Sequence, residues 1–174
     1  MSTPTTAKNA PVRWIGRTKV VLENHPAPKT VMPIRIDAHA IADNQPIRLL
    51  LSPQHAVHVD GVLIQVHRLV NGTTIRLRPI PEMMHCHLEL DAHDVILAEG
   101  LSVETYLDAG HRDGFQDVLG ASPPCNAVFE TGADLKLLIW ELFGCAPLVP
   151  AGAALDKVRD RLAQRSARMA EPVV

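Results

Sequence analysis

The chain has 174 residues, 47% of them apolar and only 3% aromatic, with a formal net charge of −2. That length fits one ordinary domain, or one domain with an appendage, and so apolar a chain can pack a core and is not wholly disordered. The near-neutral charge argues against nucleic acid or an anionic membrane as a partner chosen by bulk electrostatics, and the few aromatics argue against a stacking platform for single strands.

Residues 1–11 are polar and read as a flexible leader. They contain no apolar central stretch of the kind a secretory signal needs. No apolar run anywhere approaches the roughly 20 residues of a membrane span. The expectation is a soluble chain, with the cytoplasm as default location. Three cysteines, Cys86, Cys125 and Cys145, are widely spaced. They make neither a disulfide framework nor a CxxC zinc knuckle.

From Val12 onward, short runs rich in Val, Ile and Leu alternate with turn residues. Strands are predicted at Thr18–Glu23, Met32–Asp37, Ile47–Leu51, Ala56–Val59, Val62–Val66, Thr74–Pro79, Met84–Leu90 and Asp94–Ala98. Short strands at this spacing indicate a mainly β sandwich or barrel. Asp60-Gly61 sits between two apolar runs and supplies the positive φ angles of a type I′ hairpin. Asn71-Gly72 repeats that signal. In Met84–Leu90, alternation puts His85, His87 and Glu89 on one face and Cys86, Leu88 and Leu90 on the other.

After Phe115 the character changes. Segment 116–130 carries Gly120, Pro123 and Pro124 and reads as a connection. Residues 133–143 are too long and too apolar for an exposed strand; a buried helix stopped by Gly144 is expected. Over 153–169, Leu155, Val158, Leu162 and Met169 form one stripe, with Lys157, Arg161, Arg165 and Arg168 elsewhere, so an amphipathic helix is expected. Its basic face is ordinarily a solvated one, with a partner surface as the alternative. The division is thus a leader over 1–11, a β domain over 12–115, and a connection with a helical tail over 116–174.

Three groupings could carry chemistry. In Ser52-Pro53-Gln54-His55, a hydroxyl lies three residues before a histidine at a strand end. The imidazole could protonate a leaving amide nitrogen and the hydroxyl could orient that peptide; a Ser-Pro turn beside a surface histidine is the plainer alternative. The face bearing His85, His87 and Glu89, with His93 and Asp94 beyond it, has zinc-ligand spacing in part but lacks a completing Cys/His set, so no metal and no other cofactor is expected. The cysteines have no activating motif and read as packing residues.

The stretches PVRWIGR (11–17), PIRI (33–36), LLLSPQHAVHVDGVLI (49–64), LVNGTTI (69–75), HLELDAHDVILAEGL (87–101) and ETYLD (104–108) together resemble bacterial Hint-domain proteins, within the superfamily of Hedgehog C-terminal domains and inteins. The tail, GCAPLVPAG and then KVRDRL, is similar to the segment beyond the Hint core in such proteins, so the resemblance spans nearly all of 11–165. It implies a compact all-β fold and an autocatalytic, splicing-like reaction. In the family a Cys or Ser at the first position attacks the preceding carbonyl, and a second nucleophile resolves the thioester or ester. By this resemblance Ser52 and His55 match the family's Thr-x-x-His block, with Ser in place of Thr, while His87 and Asp94 lie in a block used for later steps.

The pattern departs from the family at its start. Members begin with a Cys-Phe-x-x-Gly-Thr-like segment and about two strands before the stretch matching PVRWIGR, whereas here eleven residues precede Val12 and none is Cys. The expectation is therefore a truncated or degenerate Hint domain, inactive as this chain. Its partner would be an intramolecular peptide substrate from an upstream segment; oligomeric state is left open. A non-catalytic β-scaffold binding module and a zinc-dependent hydrolase are the rival readings.

Overall fold

The computed structural model describes residues 9–23, 25–108, 112, 115–118 and 133–170, with 133–137 described by backbone alone. The fold is mainly β, as expected. Ten strands form three sheets among the described residues. One sheet is built on β1 (Trp14–Val21), flanked by β7 (Glu82–Glu89) and the two-residue β10 (Gln116–Asp117). A second has the order β3-β2-β6, with β2 at Ile34–Ile36, β3 at Leu49–Leu51 and β6 at Ile75–Leu77. The third has the order β5-β4-β9-β8, from β4 (Ala56–Val59), β5 (Val62–Gln65), β8 (Val95–Ala98) and β9 (Leu101–Glu104). Three helices, α1 (Pro28–Val31), α2 (Ala133–Phe143) and α3 (Ala153–Ala170), complete the set.

Two tight hairpins organise the third sheet. Between β4 and β5, Asp60 and Gly61 have φ of 53° and 82°, so the expected type I′ turn forms, and its twist matches that of the strands it joins. Between β8 and β9, Glu99 and Gly100 repeat the geometry, with φ of 51° and 82°. A side chain at Gly100 is ruled out twice. Its φ is left-handed, and a Cβ there would stand 1.7 Å from the Asn44 carbonyl oxygen.

Asn71-Gly72 is not a tight hairpin. Val66–Leu69 is a 3-10 turn, and the Asn71 side chain closes the loop after it. Asn71 Oδ1 accepts the N–H of Thr73 at 3.0 Å and of Ile75 at 2.9 Å. A side chain that satisfies two main-chain donors replaces the ladder that a two-residue turn would need.

One core joins the second and third sheets to α3. Ile34, Ile36, Val57, Ile64, Val66 and Ile75 are fully buried, and Leu155, Val158 and Leu162 of α3 pack into the same cluster. Met169 is exposed. The basic side chains of α3 mostly tie it down: Arg161 pairs with Asp60 at 2.6 Å, Arg159 donates to the Arg68 carbonyl at 2.8 Å, and Arg165 pairs with Asp43. The chain before α3 is held too. Leu63 N–H donates to the Pro147 carbonyl at 2.8 Å and Val149 N–H to the Leu63 carbonyl at 2.9 Å. The helix α2, expected to be buried, instead exposes Leu138, Leu142 and Phe143. No helix among the described residues is long and apolar enough to cross a membrane. Residues 1–8, most of the connection after Val118, and Cys125 lie outside the described residues.

Candidate functional site

β7 carries three functional candidates because of how it pairs with β1. The two run antiparallel over eight register pairs, from Trp14 opposite Glu89 to Val21 opposite Glu82. Alternation turns Trp14 and Gly16 inward on β1, and His85, His87 and Glu89 inward on β7, while Met84 and Cys86 face solvent. The histidine face is therefore the covered one. Gly16 sits opposite His87 and is a resting place for an aromatic ring: a Cβ there would lie 2.0 Å from Cη2 of Trp14.

Around His87 the aromatic residues of distant segments gather. Its ring centroid is 5.0 Å from Phe115 and 5.5 Å from Tyr106, both edge-on. Trp14 lies 5.0 Å from Tyr106 and 5.7 Å from Phe115. Arg112 covers the indole at 5.1 Å and pairs with Glu89 and, at 3.0 Å, with Asp108. Edge-to-face rings and a cation over a ring are each modestly attractive. Together they fix the His87 ring.

His55 arrives from the turn that links the second and third sheets. The segment Ser52–His55 forms a turn between β3 and β4, closed by His55 N–H to the Ser52 carbonyl at 3.1 Å. It is stitched to the next hairpin: Val66 N–H donates to the His55 carbonyl at 2.9 Å, and His67 N–H to the Pro53 carbonyl at 3.1 Å. Ser52 is half-buried at the start of this turn. The turn delivers the His55 ring onto His87, stacked with centroids 5.7 Å apart and 29° between planes. Convergence of the two rings on one bond requires a separation under roughly 10 Å, two strand spacings.

Burial decides the charge of this pair. Desolvation lowers both histidines to about 4; nearby His87 and His85 push His55 further the same way, and His85 pushes His87. A hydrogen bond of the His55 ring to the Glu104 main chain works against this without reversing it. His85 is lowered as well, by burial. At neutral pH the stacked pair is therefore neutral. Nε2 of His55 is shut off from solvent and has no hydrogen-bond partner, so it is open to accept a proton.

Asp94, grouped with His87 from sequence, stands elsewhere. Its side chain is exposed and accepts the Val95 N–H at 2.7 Å, and its charge helps to raise the nearby Cys145 thiol, after burial as the main cause. The carboxylate that reaches the His55 turn is Glu104, whose Oε1 accepts the N–H of Ala56 at 2.6 Å. Glu104 lies within the ETYLD block, but the sequence assigns it no role. Nothing in its local pattern marks it, because its partner is 48 residues away. No group of three or more His, Cys, Asp or Glu side chains among the described residues is arranged to hold a metal ion.

A mainly β domain thus brings two half-buried histidines, His55 and His87, together with their rings stacked. A family model described as the Hint domain matches residues 4–110, more than half of the chain. The chain belongs to the Hint domain family, a family of autoprocessing type. No curated protein and no solved structure matches it.

Proposed function

We propose that this chain supplies the proton-transfer part of a self-processing acyl shift, with His55 as the residue that moves the proton. The observation that carries this reading is the stacking of His55 on His87 with Nε2 of His55 unpartnered, within the span matched by the Hint domain. The nucleophile is a Cys or Ser from a segment ahead of β1. Of the described cysteines, Cys86 faces solvent on the side of β7 away from the histidines, and Cys145 has its thiol raised by burial. Neither suits attack on a peptide at His55.

The neutral state of His55 sets the order of events. Nε2 first takes the proton of the attacking thiol. The sulfur then adds to the carbonyl carbon of the preceding residue, the C–N bond breaks, and the same proton passes to the leaving amine. The peptide bond becomes a thioester with no net gain or loss of protons. His87 confines the His55 ring, and Ser52 orients the peptide or its developing oxyanion. Asp94 serves the later step in which a second nucleophile resolves the thioester.

The test fuses a family-like N-terminal segment carrying the Cys ahead of Val12 and incubates it with dithiothreitol. Mass spectrometry should find the fusion cleaved at that Cys and the unfused chain intact. An uncleaved fusion that is folded, or cleavage of the unfused chain, would overturn the reading.

A further inference from the structure

We propose that Glu104, backed by His93, is the positioning residue that holds His55 for the acyl shift; this rests on the self-processing reading above. Glu104 is 8% exposed and His93 9%. A carboxyl group this far from water is costly to leave without partners. Oε1 accepts the Ala56 N–H at 2.6 Å. Oε2 has no hydrogen bond and faces Nε2 of His93 at 3.6 Å, just beyond hydrogen-bond length.

His93 is itself fixed from the C-terminal side. The Cys145 N–H donates to Nδ1 of His93 at 3.0 Å, which leaves the ring proton on Nε2, toward Glu104. The Trp140 ring meets the imidazole edge-on at 5.1 Å. A line of contacts thus runs from the segment after α2, through His93 and Glu104, to the peptide that joins His55 to β4.

Glu104 holds the His55 turn at the peptide that follows it. Its carboxylate accepts the N–H of Ala56, the very next residue, at 2.6 Å. Sheet pairing alone gives little hold here, because β4 and β9 share a single register pair, Val57 with Val103. The carboxylate extends that ladder by one bond at the position where the catalytic turn meets β4. Removing it leaves the strands paired but the turn free to rotate, and near-attack geometry is sensitive to such displacements.

The experiment tracks the His55 ring by nitrogen-15 NMR through a pH titration of the full chain, comparing wild type with Glu104→Ala, Glu104→Gln and His93→Ala. Glu104→Gln keeps an oxygen for Ala56, and His55 should titrate within about 0.3 pH unit of wild type. In Glu104→Ala the ring should move toward its ordinary value by about 1 unit or more, with the β1–β7 amide signals unchanged. His93→Ala should move it in the same direction by about half a unit, partly because His93 acts on His55 directly; if Glu104→Ala does not fold, Glu104→Met, which keeps the bulk but offers no oxygen to Ala56, decides the matter by the same shift. An unmoved His55 in a folded variant that lacks the Ala56 acceptor overturns the proposal. In the Cys-bearing fusion, Glu104→Ala should slow cleavage about tenfold or more, with Glu104→Gln restoring it. A parent fusion that does not cleave would sink the self-processing reading, while the titration would still decide the role of Glu104.

Discussion

His55 and His87 are held neutral by the protein around them, and that has a cost in acid. In the unfolded chain each titrates near 6.5, whereas in the folded chain both lie at about 4. Between those values the unfolded chain binds more protons. Their contribution to stability is therefore complete above about pH 6.5 and is lost as pH falls toward about 4, at no more than about 1.4 kcal/mol per pH unit for each. Glu104, raised by burial, works in the opposite sense over the carboxylate range. The histidine share is thus read by difference. Between about pH 7 and about pH 5 the urea midpoint should fall for wild type, and fall less for His87→Gln. Equal falls would contradict the buried neutral pair. Gly16 gives a second test at this scale. An added Cβ collides with the indole of Trp14, a residue 2% exposed. Gly16→Ala should cost about 1–3 kcal/mol in urea unfolding, as overpacking does. A change under about 0.5 kcal/mol, the range of an ordinary surface substitution, would show that the ring has room to move.

At the scale of elements, α3 behaves as part of the core. It lies beyond the matched span of 4–110, yet Leu155, Val158 and Leu162 share one cluster with Ile36, Val57 and Ile75. Leu162→Ala should cost about 2–5 kcal/mol, and α3 and the strands should still melt in a single transition. A helix signal lost ahead of the sheet signal in circular dichroism would contradict this. The apolar stripe of α3 is legible in its period, because three buried side chains repeat at helical spacing. The exposure of α2 is not legible in composition: an apolar run says what could be buried, and only the neighbours decide what is. The strand β9 is hidden in the sequence because Glu99 opens its turn. Asp or Asn is the usual residue at that left-handed position; the packing on Asn44 explains Gly100, and nothing in the structure explains Glu99. β1 begins four residues earlier than the expected Thr18, since its pairing with β7 extends to Trp14, and pairing partners 60 or more residues away leave no local sign. For the same reason the sequence offers His55 and His87 through a family resemblance, while Glu104 emerges only from the distance to Ala56.

For the molecule as a whole, the pieces form a single arrangement. The first sheet carries Trp14 and His87, the turn between the second and third sheets carries His55, and the C-terminal segment meets His93 and the core of the second and third sheets. With a formal net charge of −2, bulk electrostatics contributes little, and the chemistry depends on local burial. The central claim is that His55 moves the proton in a self-processing acyl shift. It is tested most directly by the rate of thiol-induced cleavage of the Cys-bearing fusion, with and without His55→Ala, measured by mass spectrometry. Removing a positioned acid–base group should slow cleavage by about 10²–10⁴-fold while the folded β signal is retained. Equal rates in the two folded proteins would contradict the account.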